Sequence, residues 1–204
     1  RHWFSGTGTA ICFSVVLRPA VSPGFASFIP LMAAVAVADG ILEATGLQLE
    51  VKWPNDLLYE GKKAVGILVE ASADFDRINH LIIGVGINVN TTADRWPDEV
   101  RNIATSLAVI GGRTYSRSDV LKAVLAHLEQ WYEQSLKDQF ALVHERWCAI
   151  SCTLGRQVFI RQDRGDVEGV AEALLPEGGL LIRQADGTTT TVISGDIIRF
   201  GTAP

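Results

Sequence analysis

The chain has 204 residues, 48% of them hydrophobic, enough for one sizeable domain and a small second one, each with its own core. Its net charge is −5 and its 18 Lys and Arg residues are dispersed, with no cluster longer than Lys62-Lys63, which argues against a large nucleic-acid-binding face. The longest apolar run, Phe28 to Val37, is broken by Pro30 and falls short of the roughly 20 residues of a membrane span, so no membrane segment is expected.

Cys12, Cys148 and Cys152 are too few and too scattered for a disulfide framework and fit a reducing cytoplasm. The chain opens on Arg1-His2-Trp3-Phe4, neither a Met nor a charged-then-apolar leader, so secretion is not expected and further chain upstream is.

In chain order, Ala10 to Arg18 reads as a β-prone strand stopped by Pro19. After the Ser22-Pro23-Gly24 turn, apolar residues at helical spacing predict a buried helix from Phe25 to Ala44, ended by Gly46. Gln48 to Trp53 is a short strand that runs into the turn formers Pro54-Asn55-Asp56. Leu57 to Tyr59 and Ala64 to Ala71 flank Glu60-Gly61 as a hairpin, and Asn79 to Asn90 is an apolar strand carrying two glycines. One α+β layer follows from these elements.

Ser118 to Leu136 is amphipathic, with Val120, Leu121, Val124, Leu125, Leu128 and Trp131 on one stripe and Ser118 as the expected N-cap. A second helix is predicted from Asp138 to about Ala149. At Gly155 the pattern turns to short alternating strands at Gln157 to Arg161, Val167 to Leu175, Leu180 to Gln184 and Thr188 to Ser194, a small β-barrel candidate. The expected domains are residues 1–152 and 153–204.

Lys52-Trp53-Pro54-Asn55-Asp56 places a cation at a strand end beside an amide and a carboxylate, where sheet proteins often present reactive groups. The residues alone fit equally a lysine at a strand edge with Asn55 and Asp56 capping a turn. Gly84-Val85-Gly86-Ile87-Asn88 allows close backbone approach to a flat ligand, or marks a bulge; it lacks the third glycine of a dinucleotide fingerprint, Val89 standing there instead. Gly66-Ile67-Leu68 serves as an apolar ligand wall or as ordinary core. His144, Cys148 and Cys152 recur every four residues, but no fourth ligand or CxxC knuckle accompanies them, so helix packing is preferred to a metal site. No GxSxG elbow is present.

Lys52-Trp53-Pro54-Asn55-Asp56 resembles the signature of the biotin protein ligase family, and further segments match that family in order. Arg1-His2-Trp3 resembles the end of its Gly/Arg-rich adenylate loop, and Phe13 to Pro19 the strand that follows. Gly61 to Glu70 resembles its second hairpin strand, Gly84 to Asn90 its ligand-floor strand, Ala104-Thr105-Ser106-Leu107 a recurrent later segment, and Ser194 to Ile197 the last turn of its SH3-like C-terminal domain. The resemblance implies a catalytic domain like that of class II synthetases, with a mixed β-sheet and packed helices, followed by a small SH3-like barrel.

The activity implied is a ligase that activates biotin with ATP and Mg2+ to biotinyl-5'-AMP and transfers biotin to a lysine of a biotin carboxyl carrier domain. Lys52 is then the catalytic cation, poised between carboxylate and phosphate; with an ordinary pKa of about 10.4 a lysine is charged at pH 7 and stabilises anions. Biotin contacts fall to Lys52, Gly66, Ile67, Leu68, Gly84 and Gly86. Adenylate contacts fall to Arg1, Trp3, Asn55, Asn88, Asp196 and Arg199. Trp3 suits stacking on adenine and Arg1 a phosphate, or these are an ordinary core aromatic and a chain end. No metal ligand from the protein is assigned. The implied partners are the carrier domain and a second ligase chain, with no nucleic acid bound through this segment. A lipoate or octanoate ligase or transferase, a biotin-responsive repressor with an upstream winged helix, and a non-catalytic biotin-binding module are the alternatives.

Overall fold

The computed structural model describes residues 8–21, 23–138, 141–163 and 165–201. Strand β1 (Ala10–Leu17) leads through a 3-10 turn (Pro23–Phe28) into helix α1 (Ile29–Thr45). Then come β2 (Glu50–Lys52), β3 (Asp56–Tyr59), β4 (Lys62–Ala73) and β5 (Ile78–Asn88). Short helices α2 (Asp98–Arg101) and α3 (Leu107–Gly111) precede the long α4 (Arg117–Asp138) and α5 (Ala141–Ala149). The tail holds β6 (Gln157–Arg161), β7 (Val167–Leu174), β8 (Leu180–Arg183), β9 (Thr189–Val192) and β10 (Asp196–Phe200).

The first sheet has the order β1-β5-β4-β3-β2 and all its ladders are antiparallel. Among the described residues, parallel pairing is confined to isolated bridges at Val51–Ser151 and Lys63–Ala104. Alternation sends every second side chain to the helix-covered face. One cross-strand row there, Ile11, Ile87, Val65, Leu57 and Val51, is buried throughout. Helix α1 contacts β2, β3 and β4 as well as α4 and α5, and is therefore apolar on nearly every side.

By length and composition Ala26–Thr45, 20 residues at mean hydropathy 1.6, is apolar enough to cross a membrane, which the shorter run Phe28 to Val37 does not suggest. Burial explains the composition, since 67% of its most apolar 18-residue window lies inside the fold. The helix ends at Gly46, φ 75°, whose N–H bonds to the Leu42 carbonyl. Asp39 ties the three long helices together, accepting from Trp131 Nε1 of α4 at 3.0 Å and from Arg146 Nη2 of α5 at 2.7 Å.

In α4, Val120, Val124 and Leu128 are buried as the stripe predicts, but Leu125 is exposed. The cap is Ser116, not Ser118: the helix begins one residue earlier than expected, and Ser116 Oγ accepts from Asp119 N. Between β3 and β4, Glu60 and Gly61 both have positive φ, 47° and 77°, the geometry of a two-residue hairpin turn.

The second sheet, β10-β6-β7-β8-β9, is also antiparallel, its last strand returning beside its first as in an SH3-like barrel. Strand β10 is absent from the sequence-based expectation, which reads that segment only as a turn. Residues 150–152 cover the outer edge of β2, with Val51 N bonded to Ile150 O and Cys152 N to Val51 O. A Cβ added at Gly40 of α1 would stand 2.6 Å from the Val124 Cα of α4, so this crossing needs a bare backbone. Gly40→Ala is expected to lower stability by about 1–3 kcal/mol despite the gain in helix propensity, measured as a shift in urea midpoint at unchanged m.

Candidate active site

The face of the first sheet opposite the helices carries a different row. Across the ladders, Lys52 of β2 lies opposite Asp56 of β3, Asp56 opposite Gly66 of β4, Gly66 opposite Gly86 of β5, and Gly86 opposite Cys12 of β1. The next row toward the far end is Leu68, Gly84 and Ser14. Three glycines in two neighbouring rows leave a stretch of sheet without side chains. Above it lies a cleft of about 720 Å³ lined by these residues together with Trp53, Pro54, Asn55, Lys63, Asp196 and Ile197.

Charge is gathered at one end of this floor. Lys52 Nζ donates to the Ile197 carbonyl at 2.7 Å, and Lys63 Nζ pairs with Asp56 Oδ1 at 2.6 Å. Lys63 reaches the floor face because the β3–β4 register shifts between Leu57 and Leu58: Leu57 faces Val65 whereas Leu58 faces Lys63. The residue gained at this bulge inverts the alternation and puts Lys63 on the same face as Gly66. Main-chain bonds fix its backbone, Lys63 N to Ile103 O at 2.8 Å and Thr105 N to Lys63 O at 2.9 Å.

Asn55 sits in the turn after the cis Trp53-Pro54 peptide and is held by the strand it faces. Its Nδ2 donates to Ile67 O at 2.6 Å, and Ile67 N donates to Asn55 O. The turn between β2 and β3 is thus anchored to β4 at the edge of the glycine floor.

Of the residues singled out in the sequence, Lys52, Asn55, Gly66, Leu68, Gly84, Gly86 and Asp196 meet at this cleft. Ile67 borders it too, but alternation turns its side chain to the core, where it is 4% exposed; the wall residue is Leu68, 61% exposed. Asn88 is not brought to the cleft lining. It is buried at the end of β5, its Nδ2 donating to Thr105 O at 3.1 Å, while its Oδ1 is a buried acceptor with no partner among the described residues. Arg199 points elsewhere: a register irregularity after Ile197 leaves it exposed, its guanidinium 3.7 Å from the centre of the Phe159 ring. Arg1 and Trp3 lie outside the described residues.

His144, Cys148 and Cys152 do not form the helical stripe that their spacing suggests, because α5 ends at Ala149. His144 Nε2 bonds to Leu174 O and Cys152 Sγ to Val51 O. Burial pushes the Cys148 thiol up, and burial followed by the Glu50 charge pushes Cys152 to about 11. Lys63 and Cys12 are among the cleft residues that composition and motif spacing miss, with Ser14, Trp53 and Ile197; pairing each glycine with its neighbour across the strands would have found Cys12 and Ser14, whereas the bulge that turns Lys63 has no local signature.

A side-chain-free floor with two ammonium and two carboxylate groups at one end defines a cleft for a flat ligand with a polar, charged end. Residues 1–88 match the family described as the Biotin/lipoate A/B protein ligase family, and residues 153–199 match the Biotin protein ligase C terminal domain. The chain is 31% identical over 207 residues to the biotin--[acetyl-CoA-carboxylase] ligase of Mycobacterium tuberculosis, covering 97% of this chain and 72% of that protein. It is 38% identical over 197 residues to the bifunctional ligase/repressor BirA of Bacillus subtilis, of which it spans 60%. The biotin protein ligase of Aquifex aeolicus, solved in complex with biotin and ATP, superposes at a TM-score of 0.84 with 29% identity, covering 98% of this chain and 81% of that one. The chain belongs to the biotin protein ligase family.

Cys12 is exposed on the cleft floor, whereas Cys148 and Cys152 are sheltered thiols with raised pKa. Iodoacetamide at pH 8 is therefore expected to modify Cys12 first, with Cys152 left unmodified in the native protein, as read by peptide mass mapping.

Proposed function

We propose that this chain forms the catalytic core and C-terminal barrel of an ATP-dependent biotin protein ligase, divided near residues 152 and 153. The observation that carries this reading is the glycine floor ending at Lys52 and Lys63. Its flat part suits the fused rings and tail of biotin, lying on Gly84, Gly86 and Gly66 against Leu68. Its charged end suits the biotin carboxylate where it meets the α-phosphate of ATP.

In the first half-reaction a carboxylate oxygen attacks the α-phosphorus and the bond to pyrophosphate breaks. Two anions must approach for this, and cations fixed between them lower the barrier. Lys52 supplies one such charge, held at this end of the cleft by its bond to the Ile197 carbonyl. Lys63 supplies a second, oriented by Asp56. In the second half-reaction a carrier lysine amine attacks the carbonyl carbon of the mixed anhydride, AMP leaves with its phosphate charge, and the same cations stabilise it. Asn55 and Asp196 line the charged end and are assigned to the adenylate. Mg2+ would be carried at this end largely by the phosphate oxygens of ATP, with Asp56 and Asp196 as the carboxylates of the lining, and would neutralise phosphate charge.

The carrier domain and a second ligase chain are the expected macromolecular partners, and a cytoplasmic setting agrees with three free cysteines. Biotin-dependent ATP–pyrophosphate exchange in the full-length protein tests the reading. Lys63→Ala and Lys52→Ala are each expected to lower the exchange rate by at least about 100-fold without loss of folded protein. Exchange driven by lipoate and not by biotin would assign the site to the lipoate-type relatives instead.

A further inference from the structure

The charged end of the cleft is closed by the second sheet, whose Asp196 and Ile197 form part of its lining. Strand β10, the β7–β8 turn and the chain leading into the second sheet are each held there from the Lys52-Trp53 dipeptide. Lys52 Nζ reaches Ile197 O, Trp53 N donates to Thr153 Oγ1 at 3.0 Å, and Trp53 Nε1 donates to Gly178 O at 3.1 Å. The indole is 2% exposed, so its single N–H has no water to turn to if this bond is lost. Gly178 belongs to the turn between β7 and β8, closed by Gly178 N to Leu175 O and Leu175 N to Gly179 O. Its φ is +86°, and a Cβ added there would lie 3.2 Å from Ser27 O and 3.3 Å from Leu31 Cδ1. The turn therefore rests on the start of α1 while the Trp53 indole grips it.

We propose that Trp53 is a positioning residue: its indole N–H latches the 176–179 turn, and with it the second sheet, so that Asp196 and Ile197 stand as the wall at the charged end of the cleft. The inference rests on the ligase reading for its kinetic consequence, because that end is assigned to the ATP phosphates and only the carboxylate of biotin, whose rings and tail are assigned to the glycine floor. A loosened latch moves the wall and leaves the floor in place. ATP binding then suffers and biotin binding does not.

Trp53→Phe removes the donor and keeps most of the buried ring. Gly178→Ala disturbs the same contact from the barrel side and leaves the indole intact. Each variant of the full-length protein is compared with the parent in biotin-dependent pyrophosphate exchange and in amide hydrogen exchange. Both are expected to raise KM for ATP about three- to tenfold, with KM for biotin changed less than twofold. Both are also expected to speed hydrogen exchange across residues 176–183 and 196–200. Unchanged exchange in residues 196–200 of both variants, or KM values for ATP and biotin that rise together, would overturn the latch. A parent protein with no biotin-dependent exchange would overturn the ligase reading alone, since the hydrogen-exchange comparison still decides whether the indole holds the second sheet.

Discussion

The antiparallel register of the first sheet ties the packing of this protein to its chemistry. Because side chains alternate across a strand, the pairing that buries Ile11, Ile87, Val65, Leu57 and Val51 under α1 also aligns Cys12, Gly86, Gly66, Asp56 and Lys52 on the other face. A slip of one residue in any strand would lift an apolar residue out of the core and break the floor of the cleft together. Hydrophobic burial, which is strong and non-specific, thus enforces an arrangement of glycines and charges that has little stability of its own.

Two local departures from regularity then give the cleft its polarity. The bulge between Leu57 and Leu58 turns Lys63 onto the floor face, and the turn at Pro54-Asn55, fastened to Ile67, ends the β2–β3 ladder beside it. The segment 150–153 runs along the free edge of β2 and carries the chain directly into the barrel, so the sheet edge that bears Lys52 is also the joint between the two sheets. Core, cleft and barrel meet at residues 51–53. Family membership agrees with this economy, since the segment that resembles the family signature is the one through which all three parts are connected.

Features set by adjacent residues were legible in the sequence. Glu60-Gly61 announces its hairpin because two positive φ values need little else, Gly46 ends α1, and the glycines of β4 and β5 read directly as close-approach positions. Features set by partners far along the chain were not. Strand β10 pairs with β6 some forty residues upstream, and the five-residue run Asp196 to Phe200 has too little alternation to be seen unaided. Asn88 reads as a ligand contact, yet its burial depends on the 104–107 segment folding over it. Leu125 falls on the predicted stripe of α4 and is exposed, beside the line of Val120, Val124 and Leu128 that is buried. The end of α5 at Ala149, by contrast, is where the sequence places it, and it leaves Cys152 off the helix that carries His144 and Cys148.

On the proposed function, the bare floor of the first sheet, and not the charges alone, selects the ligand. Gly84 tests it most directly, because a Cβ built there meets nothing closer than Leu68 O at 3.7 Å and its φ is not in the left-handed region. Gly84→Val should fold as well as the parent, since a β-branched residue suits a strand. The deciding measurement is biotin affinity by isothermal titration, taken beside the thermal midpoint. The account predicts a dissociation constant raised at least about tenfold with the midpoint held or increased. An unchanged dissociation constant in a folded Gly84→Val protein would contradict it.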